Sequence, residues 1–219
     1  VKAALAALAL VVLAACARAA PEKRDIHLLT SLPLLFGEQF SLETEAPPIV
    51  AHLERRFRLT AVDLPSQLPP NATLLMVQPR ALPAEELVAL DRWVRSGGRL
   101  LLLADPRLEW PSERPLGDPL RPPPMFPDTG LLAHWGLTLD LPDAPGPAER
   151  GGVRYISPGA LIAANRQCAV TTQTVARCRL GSGRAIVVAD ADWLSRDLAG
   201  TAFDANAAQL DSLIDSLAR

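Results

Sequence analysis

Charge of one sign, histidine, glycine-rich phosphate loops and long apolar runs are all scarce in this chain, and each shortage closes a class of function. With 22 basic against 24 acidic side chains the formal net charge is −2, so the basic face that nucleic acid demands is not implied. The three histidines, His27, His52 and His134, fall in an expected strand and two expected helices. No cysteine or carboxylate stands beside them at ligand spacing, so no metal site is expected. The lone Gly-X-Gly pattern, Gly181-Ser182-Gly183, precedes its strand, which is the wrong side for phosphate to meet helix amides; it reads as a turn. No cofactor is implied. The uncharged run at the start, residues 3–15, falls short of the roughly 20 residues a membrane-spanning helix needs.

That run does match the short apolar core of a signal peptide, and it ends in Leu13-Ala14-Ala15-Cys16. These four residues resemble the bacterial lipobox, in which cleavage before the cysteine follows its diacylation. An ordinary secretory cut after Ala20 competes with this, but it puts Arg18 where a small residue is wanted. The expected organisation is a signal peptide over residues 1–15, a linker over 16–25 that starts at lipidated Cys16, and one domain over 26–219. Several acyl chains on one cysteine anchor firmly where a single chain does not. By resemblance to the lipoprotein sorting pattern, Ala17 after the cysteine favours the outer membrane, facing the periplasm. Export in turn permits disulfides. Cys168 and Cys178 flank β-type residues, which suggests neighbouring strands, and they are expected to pair.

Four segments are almost wholly apolar, 26–29, 73–77, 100–104 and 185–189, as strands covered on both faces are. Helical patterns lie between them. Ile49, Val50, Leu53 and Phe57 form one stripe behind Pro47-Pro48. Residues 83–96 carry Glu85 and Glu86 near the start, Arg92 and Arg95 near the end, and Leu87, Leu90 and Val94 on one face, before Gly97-Gly98 stops them. Residues 201–217 carry Thr201 and Asp204 in the manner of a capping box. Strands alternating with helices predict an α/β, doubly wound, mostly parallel sheet. Short β-rich runs predict a small antiparallel β extension near residues 153–180.

Two loops interrupt this plan. Residues 106–127 hold eight of the 21 prolines and cannot form a regular element of any length; residues 142–152 form the second. The first loop carries Trp110, Met125 and Phe126 with Arg107, Arg114 and Arg121, so it has the chemistry either to dock on a partner or to pack over the sheet. Polar residues stand where the apolar strands stop: Thr30, Ser31, Gln78, Asp105, Asp190 and Asp192. Ligands of open α/β sheets bind at such ends. The same side chains also serve to cap turns and satisfy loop amides.

The stretch LPAEELVALDRWVRSGGRLLLLADP over residues 82–106, then GSGRAIVVADADWL over 181–194 and the later Asn206, resembles the GldG-type auxiliary component of ABC transport systems. That family is related to the class I glutamine amidotransferase-like fold. The resemblance implies an extracytoplasmic, non-catalytic domain accompanying a transporter, with an envelope protein as partner. This chain departs from the family pattern in having a lipobox in place of spanning helices. It departs from the wider fold in running β-type residues into Ala104-Asp105-Pro106 where the amidotransferases place a cysteine. Two other readings stay open: an envelope hydrolase using Asp105, Asp190 or Asp192, and a small-ligand-binding lipoprotein with a pocket at the strand ends.

Overall fold

The computed structural model describes residues 23–35 and 46–218. The expected signal peptide and Cys16 lie outside the described residues. In chain order the elements are β1 (Arg24–Thr30), α1 (Pro48–Glu54), β2 (Phe57–Ala61), β3 (Thr73–Val77), α2 (Ala84–Arg95), β4 (Arg99–Leu103), α3 (Leu131–His134) and β5 (Leu137–Asp140). There follow β6 (Pro147–Arg150), β7 (Val153–Ile156), β8 (Ala160–Ala163), β9 (Cys168–Val170), β10 (Val175–Leu180), β11 (Gly183–Val188), α4 (Arg196–Ala199) and α5 (Phe203–Leu217).

One seven-stranded sheet runs β2-β1-β3-β4-β11-β10-β9. Its first five strands are parallel, and β10 and β9 are antiparallel additions. The apolar strands alternate between two cores, as a sheet covered on both faces requires. Ile26, Leu28, Leu75, Val77, Leu101 and Leu103 pack with Ile49, Val50 and Leu53 of α1 and with Leu210 and Ile214 of α5. Leu74, Met76, Leu100 and Leu102 pack with Leu90, Trp93 and Val94 of α2 and with Trp135. The architecture is thus α/β and doubly wound, and it keeps a parallel sheet in the middle because only helices on both faces can bury such strands.

The structure departs from the sequence reading in four places. Phe57 opens β2 instead of ending the α1 stripe; its ring is buried either way, with the Arg24 and Arg56 guanidinium carbons 4.9 and 5.2 Å from its centroid. The start of α5 has no side-chain cap, because a 3-10 turn over Gly200–Ala202 feeds the chain in. Residues 142–152 contain β6, which pairs with β7 across Gly151-Gly152, both at positive φ as a tight hairpin turn prefers. Finally β5, unforeseen, pairs with β8. The antiparallel region is therefore the expected extension, β9–β10 on the edge of the main sheet, with two small ribbons beside it.

Cys168 and Cys178 are Cα partners on β9 and β10 and form a disulfide. On the chain-entropy argument a loop with this separation of 10 contributes about 2.5 to 3 kcal/mol. Urea melts with and without reductant should differ by that amount, with the mass rising by two hydrogens on reduction; equal midpoints would remove the disulfide from the account.

Candidate functional site at the carboxyl ends of the strands

Asp105 follows β4 and Asp190 follows β11, so the parallel pairing of these strands brings the two side chains together, with Asp192 just beyond. All three are fully buried. Their oxygens are directed to main-chain amides. Asp105 Oδ1 accepts from Arg107 N at 2.8 Å, and its Oδ2 accepts from Ala191 N at 2.8 Å and Asp192 N at 3.4 Å. Asp190 accepts from Ile156 N at 2.5 Å and Trp193 N at 3.0 Å. Asp192 Oδ2 accepts from Glu109 N at 2.5 Å, while its Oδ1 has no partner among the described residues.

Burial and mutual repulsion set the protonation of this cluster. Desolvation pushes Asp105 up to about 6 and Asp192 up to about 8, the latter also repelled by Asp105. Desolvation, then the charge of Asp105, raises Asp190 well above the ordinary carboxylate range. Tyr155 is raised too, by burial and then by Asp190. At neutral pH the cluster keeps protons on Asp190 and Asp192 and its charge on Asp105. It behaves as a hydrogen-bonding hub for loop amides more than as a set of charges.

Gln78 completes the hub from the end of β3. Its Oε1 accepts from Asp105 N at 2.9 Å, and its Nε2 donates to Asp105 O at 3.2 Å and Pro123 O at 3.1 Å. The residue sits at φ 40°, in the left-handed region that favours glycine. The amide bonds supply what holds it there. Through Pro123, and through Phe126 N donating to Asp105 O at 2.6 Å, the proline-rich loop is drawn across the strand ends. Trp110 packs on the α1/α5 core and Phe126 on the α2 core. Arg121 Nη1 donates to Ser112 O at 3.2 Å and also to Arg114 O, while Arg107 Nε lies 3.7 Å from Glu109 Oε1. On the outer side Leu116, Met125 and Leu120 stand 87%, 54% and 49% exposed.

The six strand-end residues do not form one crevice. Thr30 and Ser31 line a cavity of about 320 Å³ with Ala61, Val62, Asp63, Arg80, Arg114 and Leu120. Gln78, Asp105, Asp190 and Asp192 do not line it. The cavity lies where the strand order reverses between β1 and β3, the usual ligand position in doubly wound sheets. Its hydroxyls already have local work: Thr30 Oγ1 accepts from Leu32 N at 3.0 Å, and Ser31 Oγ donates to Gln78 O. Sequence reasoning passed over Arg80, whose Nη1 donates to Arg121 O at 2.9 Å; its place just past β3 is the only signal. It also passed over Glu109 and Ser157, whose Oγ donates to Glu109 Oε1 at 2.5 Å. Asn206 holds the far side, donating to Arg154 O and Trp193 O, both at 2.9 Å. No group of three or more His, Cys, Asp or Glu side chains placed to hold a metal ion occurs among the described residues, and no described helix is long and apolar enough to cross a membrane.

Residues 23–141 match the family model described as "ABC-type uncharacterized transport system", more than half of the chain. The chain belongs to this ABC-transport auxiliary family. No curated protein matches it. Among solved structures the auxiliary domain is similar to the N-terminal domain of mmIFT52, at 13% identity over 88% of this chain and 97% of that one, with a TM-score of 0.58. It is similar to cytoplasmic protein STM1381 from Salmonella typhimurium LT2, at 11% identity over 88% and 99%, TM-score 0.51. It is also similar to exo-beta-1,4-mannosidase Op5Man5 from Opitutaceae bacterium strain TAV5, at 15% identity over 88% of this chain, TM-score 0.54. The auxiliary domain spans only 36% of that enzyme's length. At these identities the likeness is one of fold alone.

Proposed function

We propose that this chain is a non-catalytic, lipid-anchored periplasmic domain that attaches to an envelope ABC-type transport system. Residues 1–15 are removed as a signal peptide, Cys16 carries the acyl chains, residues 16–25 link it to the domain over 26–219, and the outer membrane is the favoured site. The observation that carries the non-catalytic part is the fate of the strand-end carboxylates. A carboxylate that works on substrate must present a free oxygen to a cleft. Both oxygens of Asp105 and of Asp190 instead accept from main-chain amides, and Asp192, whose Oδ1 has no partner among the described residues, is fully buried and lines neither the cavity beside Thr30 and Ser31 nor any cleft described above. Family membership over residues 23–141 supports the transport association.

The partner surface in this reading is the outer side of the proline-rich loop. Trp110 and Phe126 anchor the loop from below, and Leu116, Leu120 and Met125 with Arg107 face outward. Exposed apolar side chains clustered on one loop are the usual mark of an interaction site. A small-ligand reading has one observation behind it, the cavity at the β1/β3 reversal, whose volume of about 320 Å³ is of ligand size.

The anchor and the partner are tested together. Membrane fractions from cells expressing the wild type should yield an acylated N-terminal peptide at Cys16 and a co-purifying component of an ABC transport system. Cys16→Ala should release the protein to the soluble fraction. An unacylated wild-type protein in the cytosol, leader intact, would overturn the reading.

A further inference from the structure

The amino edge of the main sheet carries arginine on three adjacent strands in register. Arg99 opens β4, Arg184 is its Cα partner on β11, and Arg179 is the partner of Arg184 on β10. Residues paired directly across a sheet share a face, and neighbouring strands lie about 4.8 Å apart. The three side chains therefore form a row, on the face that α5 covers further along. Arg177, two residues from Arg179, is on the same face and donates to Ser216 Oγ at 2.8 Å. Arg166 lines the same concavity of about 590 Å³.

No acidic side chain lines this concavity or the adjoining one beside Arg99 and Arg184. None of the five arginines is in an ion pair among the described residues. Elsewhere on the same edge two arginines are matched: Arg24 pairs with Asp215, and Arg56 with Asp211 and Asp215. Like charges directly opposite one another destabilise a sheet, so a row left uncompensated by the fold points to an anion that meets it from outside. Guanidinium groups fit phosphate oxygens two at a time, which favours phosphate over a diffuse negative surface.

Position selects the source of that phosphate. β1 begins on this edge at Arg24, in register with Phe57 at the start of β2. From β1 to β10 is four strand steps, about 19 Å. Seven residues separate Cys16 from Arg24, a stretch that reaches at most about 30 Å when fully extended. Acyl chains on Cys16 would thus keep this edge within reach of the bilayer. We infer that Arg99, Arg184 and Arg179, flanked by Arg177 and Arg166, form a membrane-contact surface that takes the headgroup phosphates of anionic phospholipids. The orientation rests on the anchor reading; the headgroup affinity does not.

The two are separable by experiment. The mature chain, residues 16–219 with Cys16→Ser, is sedimented with phosphatidylcholine vesicles and with vesicles containing phosphatidylglycerol. Binding is expected only to the second, weakening as salt rises. Each surface arginine contributes about 1 kcal/mol near an anionic membrane, a factor of roughly five. The double variant Arg179→Gln/Arg184→Gln should therefore bind about thirty-fold more weakly, with a melting temperature no lower than the parent, since two repelling charges are gone. Equal binding to both vesicle types, or full binding by the double variant, would overturn the inference. So would release by inorganic phosphate beyond that of chloride at matched ionic strength, which would make this a free-phosphate site. An absence of binding to either vesicle would also overturn it and leave an acidic protein surface as the occupant. Acylation of Cys16 in the wild type is read separately by mass, so an anchor that fails and a headgroup surface that fails give different results.

Discussion

Asp190→Ala is expected to cost about 3 to 5 kcal/mol of folding stability, because it strips the acceptors from two buried amides at once. Ile156 N reaches Asp190 from β7 at 2.5 Å, and Trp193 N from the 3-10 turn Asp192–Leu194 at 3.0 Å. Neither amide has solvent to turn to, since Asp190, Ile156 and Trp193 are all buried. Asparagine offers a sharper comparison. It keeps one acceptor and turns an N–H toward the other amide, which is unfavourable, but it removes a carboxyl whose charged form burial already opposes. Asp190→Asn should thus lose about 1 to 2 kcal/mol, well short of the alanine variant. Denaturant midpoints at constant slope report both. An alanine variant within about 0.5 kcal/mol of wild type would show that the carboxylate is not holding the loops.

The same cluster fixes how stability responds to pH. Asp105, Asp190 and Asp192 hold their protons more tightly folded than unfolded, through burial first and repulsion second. Between the unfolded carboxylate value and the folded one, the folded chain binds more protons, so stability falls as pH rises. The decline begins above about 4, passes Asp105 near 6 and continues through Asp192 near 8, at up to about 1.4 kcal/mol per pH unit for each group titrating. Asp91 and Asp215 act in the opposite sense at the acid end. Burial opposes their charge, but Arg95 and Trp135 around Asp91, and Arg56 and Arg24 around Asp215, more than offset it. Stability is therefore expected to peak near pH 4 to 5, at the unfolded carboxylate values, with melting temperature falling toward pH 8.5. Asp192→Asn should flatten the upper part of that fall, since its carbonyl oxygen still accepts from Glu109 N and its amide takes the place of the partnerless Oδ1. A profile that rises steadily from pH 5 to 8.5 would contradict this assignment.

The centre of the fold was legible because its strands are apolar on both faces. The runs around Leu75, Leu101 and Val187 can only be the middle of a covered parallel sheet, and the helix ending at Gly97-Gly98 carries its caps and charges in the expected order. The edges were not legible. β2 holds one buried residue, Phe57, ahead of four that are exposed or half-buried, too little to distinguish a strand from the last turn of a helix. β5 and β6 are four residues each: β5 pairs with β8, beyond the intervening β6–β7 hairpin, and β6 has too few buried residues to stand out before that hairpin closes. The candidate site was half legible. Its residue types stood out where strands stop, but a carboxylate that caps a loop and one that meets a ligand look alike in sequence. Only the positions of Arg107, Ala191, Ile156 and Trp193 amides separate them.

The central claim is that this auxiliary domain works by holding a partner against its proline-rich loop, not by chemistry at its strand ends. A photo-crosslinking residue at Leu116, the most exposed apolar side chain of that loop, reports on it directly in living cells. The account predicts capture of an ABC transport component, kept when Asp192 is replaced by Asn and lost when Leu120 and Met125 are replaced by Glu. Capture that depends on Asp192 and ignores the loop, or a repeated failure to capture any transport component, would contradict it.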